Sequence, residues 1–418
     1  MEKVTVVPKL RFPEFSEDWE VSRLDNFILF QAGYAFDSAD MLNEPSNYQL
    51  IKMSNVYQSQ LSLDRNATYW DFISEKIRKF ILMDGDTVLT LTGTVGKRDY
   101  GYSVIIKESN KYLLNQRLVR LRSKNFASDS NFICMIASTE RFLYHFFSNS
   151  KGGTGNQSNV SVDDLKSILL PFPKLIEQQK IAAFLTAVDD KIQQLTHKKA
   201  LLEKYKKGVS QKLFNQEIRF KDDDANEYPA WEVRSLGEML IESRLGGNYS
   251  NSETKTDFPL IKMGNLGRGK FNLNKIEFIE DGQEINFKDK ICFGDLFFNT
   301  RNTLDLVGKV AVWKNELNEA YYNSNLMFMK FQNNFFMNYL FNSYHGLKSL
   351  KSIATGTTSV AAIYTKDLFK LHFSVPSVDE QKKIADFLSV LDQKIDLINI
   401  QLQKTQSFKK GLLQQMFV

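Results

Sequence analysis

The tightest constraint on this fold is that the chain contains itself twice. The run Pro173-Lys174-Leu175-Ile176-Glu177-Gln178-Gln179-Lys180-Ile181-Ala182-Ala183-Phe184-Leu185 returns as Pro376-Ser377-Val378-Asp379-Glu380-Gln381-Lys382-Lys383-Ile384-Ala385-Asp386-Phe387-Leu388. The offset of 203 residues (376 less 173) holds without a gap to Lys206-Lys207-Gly208 over Lys409-Lys410-Gly411. A repeat of this length predicts two similar modules, each followed by the same kind of helix.

Upstream of each helix the copies diverge but keep common phrases. Trp19-Glu20-Val21 answers to Trp231-Glu232-Val233, Leu50-Ile51-Lys52-Met53-Ser54-Asn55 to Leu260-Ile261-Lys262-Met263-Gly264-Asn265, and Gly85-Asp86 to Gly294-Asp295. Thr94-Val95-Gly96-Lys97 lines up loosely with Leu306-Val307-Gly308-Lys309, and Asn115-Gln116-Arg117 with Asn323-Ser324-Asn325. The shared pieces are short, β-rich and punctuated by Gly, Asn and Asp, as strands joined by variable loops are. Two helical stretches then follow in each copy, aromatic-rich over 130–147 and 333–351, and end in a loop of small residues. The expectation is a mixed α+β globule with a curled antiparallel sheet, made twice.

The segments after the globules have another rhythm. Ile181, Leu185, Val188, Ile192 and Leu195 fall at alternating steps of four and three, and Ile384, Leu388, Leu391, Ile395, Ile398 and Leu402 continue the pattern in the second copy. That spacing lays one apolar seam along a long helix, about 50 Å for some 35 residues. The obvious cover for each seam is the other copy, which predicts an antiparallel coiled coil and a pseudo-two-fold relation between the globules. The expected division is 1–172 for the first globule, 173–217 for the first helix, 218–375 for the second globule and 376–418 for the second helix.

Enzymatic parts are missing from the pattern. The four histidines have no metal-ligand spacing to Cys134 and Cys292, and those two cysteines do not correspond in the repeat. Gly93-Thr94-Val95-Gly96-Lys97 lacks the gap between glycines and the hydroxyl after lysine that a phosphate loop needs. No apolar run approaches the roughly 20 residues of a membrane span, and the first residues lack a signal-peptide core. A reducing, cytoplasmic setting is expected. The net charge of +5 permits a polyanionic partner.

Two variable globules, with the Pro-x-x-x-Glu-Gln-x-x-Ile-Ala-x-Phe-Leu helix entry twice, resemble the specificity subunit of type I restriction–modification enzymes. The resemblance runs from Leu10 to Phe417. It implies that each globule contacts one half of a bipartite DNA target, and that the helices set the spacer and dock two modification subunits. It implies S-adenosylmethionine on those subunits, ATP and Mg²⁺ on restriction subunits where these are present, and no catalysis in this chain. The residues alone leave two other classes open: the specificity part of another bipartite methyltransferase or nuclease system, and a coiled-coil adaptor without DNA contact.

Base edges are read by Arg, Lys, Asn and Gln, and phosphates are held by basic or hydroxyl groups. Candidates in the first globule are Thr92, Thr94, Lys97, Arg98, Gln116, Arg117, Asn156 and Gln157. In the second they are Lys262, Asn265, Arg268, Arg301, Asn302, Lys309, Thr357 and Thr358. Asn115 and Asn323, kept in both copies, fit a shared turn or phosphate role better than the reading of different half-sites. Glu177, Gln178, Glu380 and Gln381 either start their helices or serve a partner that docks twice. The lysine-rich end of the first helix, Lys198 to Lys212, is either a solvated face or a face toward spacer DNA or an acidic partner.

Overall fold

The computed structural model describes residues 5–152, 156–357 and 360–417. The chain forms two compact units, Met1–Thr196 with Ile400–Val418, and His197–Asn399. The expected four-way division set the long helices apart from the globules. Both long helices are shared out between the units, because each globule takes the start of its own helix and the end of the other.

In the first unit a four-stranded antiparallel sheet runs Ser103–Ile105, Thr87–Thr90, Leu118–Ser123, Ile28–Ala32. Alternation along the central strand explains its place: Val88 enters one apolar cluster and Leu89 the cluster on the opposite face. The second unit repeats the order with Val310–Val312, Leu296–Asn299, Leu326–Lys330 and Glu242–Leu245. There Phe297 faces one cluster while Leu296 and Phe298 face the other.

The sequence predicts antiparallel sheets, but each unit also contains a parallel pairing. Tyr112–Leu114 runs parallel to Tyr48–Ile51, and Tyr321–Tyr322 runs parallel to Pro259–Ile261. The two helical stretches of each unit are Ser130–Ile136 with Glu140–Ser148, and Asn334–Asn342 with Tyr344–Ser352. The break is a cap in both units: Thr139 Oγ1 accepts from Phe142 N at 3.2 Å, and Ser343 Oγ accepts from Gly346 N at 3.1 Å.

The long helices are Leu175–Phe214 and Val378–Met416. In the first unit Ile181, Ala182 and Leu185 share one core with Leu412, Met416 and Phe417. In the second, Ile384, Ala385, Leu388 and Leu391 share one core with Leu213 and Phe214. In both, the start of one helix lies against the end of the other, which is the antiparallel packing the seams predicted.

Each helix is fastened to its globule by the same latch. Arg11 pairs with Glu177 (Nε to Oε1 2.7 Å, Nη2 to Oε2 2.8 Å), and Trp19 Nε1 donates to the same carboxylate at 3.1 Å. Arg219 holds Glu380 at 3.1 and 2.6 Å, and Trp231 Nε1 donates to it at 3.2 Å. The next residue folds back on the entry proline: Gln178 Nε2 donates to Pro173 O at 2.9 Å and Gln381 Nε2 to Pro376 O at 3.0 Å.

Candidate nucleic-acid interface

A small three-stranded sheet gathers six of the first globule's candidates. Thr92–Thr94 pairs with Gln157–Asn159, with Gln157 opposite Thr94, and Gln157–Asn159 pairs in turn with Lys151–Gly152. Gly93 is needed for close approach, since a Cβ there would lie 2.2 Å from the Tyr100 ring and 2.4 Å from Asp99 Oδ1. Thr94 donates to Asp99 from N at 2.9 Å and from Oγ1 at 2.6 Å, which closes the loop and holds the Asp99 carboxyl below its ordinary range. Lys97, Asn156 and Gln157 are exposed around this loop. Arg98 is exposed but turned to Glu140 at 3.0 Å and over the Phe147 ring. Gln116 and Arg117 are exposed beside the sheet, where Arg117 (φ 68°) accepts Leu91 N at 2.9 Å through its carbonyl.

The second globule builds the counterpart from Arg301–Asn302, Ala361–Ala362 and Thr355–Gly356. Arg301 is exposed, its backbone N held by Asn299 Oδ1 at 3.0 Å, and Thr357 is exposed next to the strand end. Asn302 is half-buried and its Oδ1 accepts Thr303 N at 2.8 Å. Thr358 lies outside the described residues. Arg268 and Lys309 are half-buried near the start of the neighbouring strand.

Several expected contact residues are committed to the fold. Asn265 is buried; its Oδ1 accepts Lys262 N at 2.9 Å, and its Nδ2 donates to Asn272 O at 3.1 Å and Lys275 O at 2.7 Å. Asn55 makes the same bonds to Lys52 N, Ser62 O and Arg65 O, so this asparagine staples a turn in both units. Lys262 Nζ is held by Asn251 Oδ1 at 2.9 Å and Glu277 at 2.6 Å. Thr92 is buried with its hydroxyl on Asn159 Oδ1 at 3.1 Å, and Thr94 is bound to Asp99. The pairing of Gly96-Lys97 with Gly308-Lys309 is also corrected. Gly308 corresponds to Gly101, because both have positive φ and donate to the last residue of equivalent strands, Leu296–Asn299 at Asn299 O and Thr87–Thr90 at Thr90 O.

The expected docking residues Glu177, Gln178, Glu380 and Gln381 are buried, and so offer nothing to a partner. Their repetition records the latch. On the first helix Lys206 is ion-paired to Asp392, which also accepts the Tyr339 hydroxyl at 2.7 Å. In the first unit Lys409 meets Asp189 at 2.6 Å. These cross-helix pairs were missed in the sequence, although Asp189 and Lys206 each recur 203 residues on as Asp392 and Lys409.

Among the described residues no His, Cys, Asp and Glu side chains converge as metal ligands, and no helix is long and apolar enough to cross a membrane. Two repeated globules, each with a loop-built sheet of exposed polar side chains, define a duplicated recognition scaffold. The sequence profile of the type I restriction modification DNA specificity domain matches residues 16–204 and 229–405, and the chain belongs to that family as a specificity subunit carrying the domain twice. It is 24% identical over 418 residues to the type I restriction enzyme MjaVIII specificity subunit of Methanocaldococcus jannaschii, covering 97% of this chain and 92% of that one. A further relative from the same archaeon is 28% identical over 210 residues, 49% of each chain. The fold is similar to that of the type I restriction–modification S subunit from M. genitalium, with a TM-score of 0.62, 16% identity and 99% of both chains covered.

Proposed function

We propose that each globule reads one half of a bipartite, asymmetric DNA target and that the paired helices set the spacer between the halves. One observation carries this reading. The two globules build the same small sheet from equivalent loops, yet they expose different side chains there: Lys97, Asn156 and Gln157 in one, Arg301 and Thr357 in the other. One frame with two sets of donors and acceptors is what reading two different half-sites requires.

In this reading the chain makes and breaks no bonds. Two modification subunits dock on the repeated helices and transfer the methyl group from S-adenosylmethionine. Restriction subunits, where present, use ATP and Mg²⁺. The assembly works on duplex DNA in the cytoplasm.

The test is selection of duplexes from a random-sequence pool by the chain assembled with its modification subunits. A motif in two parts separated by a fixed unread spacer is expected, and Gln157→Ala should relax one part only. Enrichment of a single contiguous motif, or of none, refutes the reading.

A further inference from the structure

In the second unit the turn between Leu266 and Phe271 lies on the strand Val310–Val312, with Gly269 (φ 76°) donating to Val310 O at 2.7 Å. The turn lays Arg268 across the residues just before that strand: Nη2 donates to Asp305 O at 3.0 Å and Nη1 reaches Gly308 O at 3.4 Å. Lys309 is the next residue. Burial lowers the proton affinity of both groups, and the charge of Arg268 lowers that of Lys309 further. Among the described residues neither meets a carboxylate, whereas half-buried Arg122, Arg219, Arg244 and Lys262 each do.

The frame does not need these charges. In the first unit the same turn joins Val56 to Leu61, and Gly101 stands where Gly308 stands. Gln58 then takes the place of Arg268 and Tyr102 that of Lys309, with the Tyr57 and Tyr102 rings 5.6 Å apart edge to face. Two cations held together partly out of water repel, and an anion between them relieves that cost. Arg268 has two of its nitrogens turned to carbonyls, and lysine is a point charge; neither presents the open fork that reads guanine.

We propose that Arg268 and Lys309 together seat one backbone phosphate of the duplex bound by the second globule, a sequence-blind contact that the first globule lacks at the equivalent place. The proposal rests on the DNA reading above. It is tested on the assembled complex by duplex affinity across a salt series, using duplexes enriched by the wild type and random-sequence duplexes.

For the double variant Arg268→Gln/Lys309→Gln, the slope of log K against log salt should shrink by about 1, with a similar fold-loss on both duplex sets. Lys309→Gln alone tests the same point without removing a hydrogen bond of the fold, and should move both readings in the same direction; Lys309→Arg should restore them. An unchanged slope, or a loss confined to the enriched duplexes, overturns the phosphate seat while leaving the half-site reading intact. A wild-type complex that binds neither duplex set overturns both.

Discussion

Lys409 Nζ lies 2.6 Å from Asp189, tying the last turns of the second long helix to the first. Lys206 and Asp392 form the equivalent pair in the other unit. Each contact joins residues far apart in the chain, and each fixes the axial register of two antiparallel helices whose seams alone would tolerate sliding by a heptad. The second pair has more support, because the Tyr339 hydroxyl donates to Asp392 and its ring lies under Lys206.

Lys206→Met should therefore cost more than Lys409→Met: about 1–2 kcal/mol against less than about 1, since partly exposed pairs are screened. Double-mutant cycles with Asp392→Asn and Asp189→Asn, read by urea unfolding, check this. Equal coupling energies in the two cycles would contradict the contribution assigned to Tyr339.

Glu177→Ala removes the carboxylate shared by Arg11 and the buried Trp19 indole, and Glu380→Ala removes the one shared by Arg219 and Trp231. Each is expected to destabilise its own unit by about 3 kcal/mol, the usual cost of breaking a mostly buried pair. Limited proteolysis should release the first unit in one variant and the second in the other. Stable variants that fail only in partner assembly would return these residues to a docking role.

Asn55→Ala and Asn265→Ala should behave as a matched pair, each lowering stability by about 2 kcal/mol or more through orphaned backbone groups. Asn265→Ala should keep the sequence preference of the second globule wherever the protein remains folded. Thermal unfolding and duplex selection on the same sample measure both effects.

Alkali should weaken the second unit. Burial pushes the hydroxyls of Tyr249 and Tyr321 up to about 12, helped in each case by a neighbouring carboxylate, Asp289 and Glu319. The unfolded chain releases these protons from about pH 10, so the folded state holds more protons above that value, and stability falls as pH rises. Below about pH 9 these groups contribute no slope. Urea midpoints between pH 8 and 11.5 should show the decline, and Tyr249→Phe should lessen it.

The duplication was readable because it is written in residues, and the helix packing followed from seams that need cover. Sheet order was not readable, since strands as short as Thr87–Thr90 say nothing about their neighbours. The parallel pairing of Tyr112–Leu114 with Tyr48–Ile51 depends on a crossover that no local pattern marks.

The candidate site divides along a physical line. Lys97, Asn156, Gln157 and Arg301 were placed by their loops, which the structure gathers into small sheets. Asn265 and Glu380 misled because a polar residue in a polar segment looks solvated until its burial is known. The corrective signal was present: Asn55 and Glu177 occupy the same places in the first copy. A residue retained by two globules with different tasks belongs to their common frame. Asn115 and Asn323 follow the same rule, both buried with Oδ1 accepting a neighbouring backbone N–H.

The first unit includes Ile400–Val418, and Trp19 packs edge-on against Phe417 at 6.3 Å. Its core is therefore completed by residues that leave the ribosome long after the rest of that unit. During synthesis the early globule has to wait, incomplete, while some two hundred further residues emerge. A premature stop ahead of the last turns of Val378–Met416 should then harm the first unit, already synthesised, more than the second.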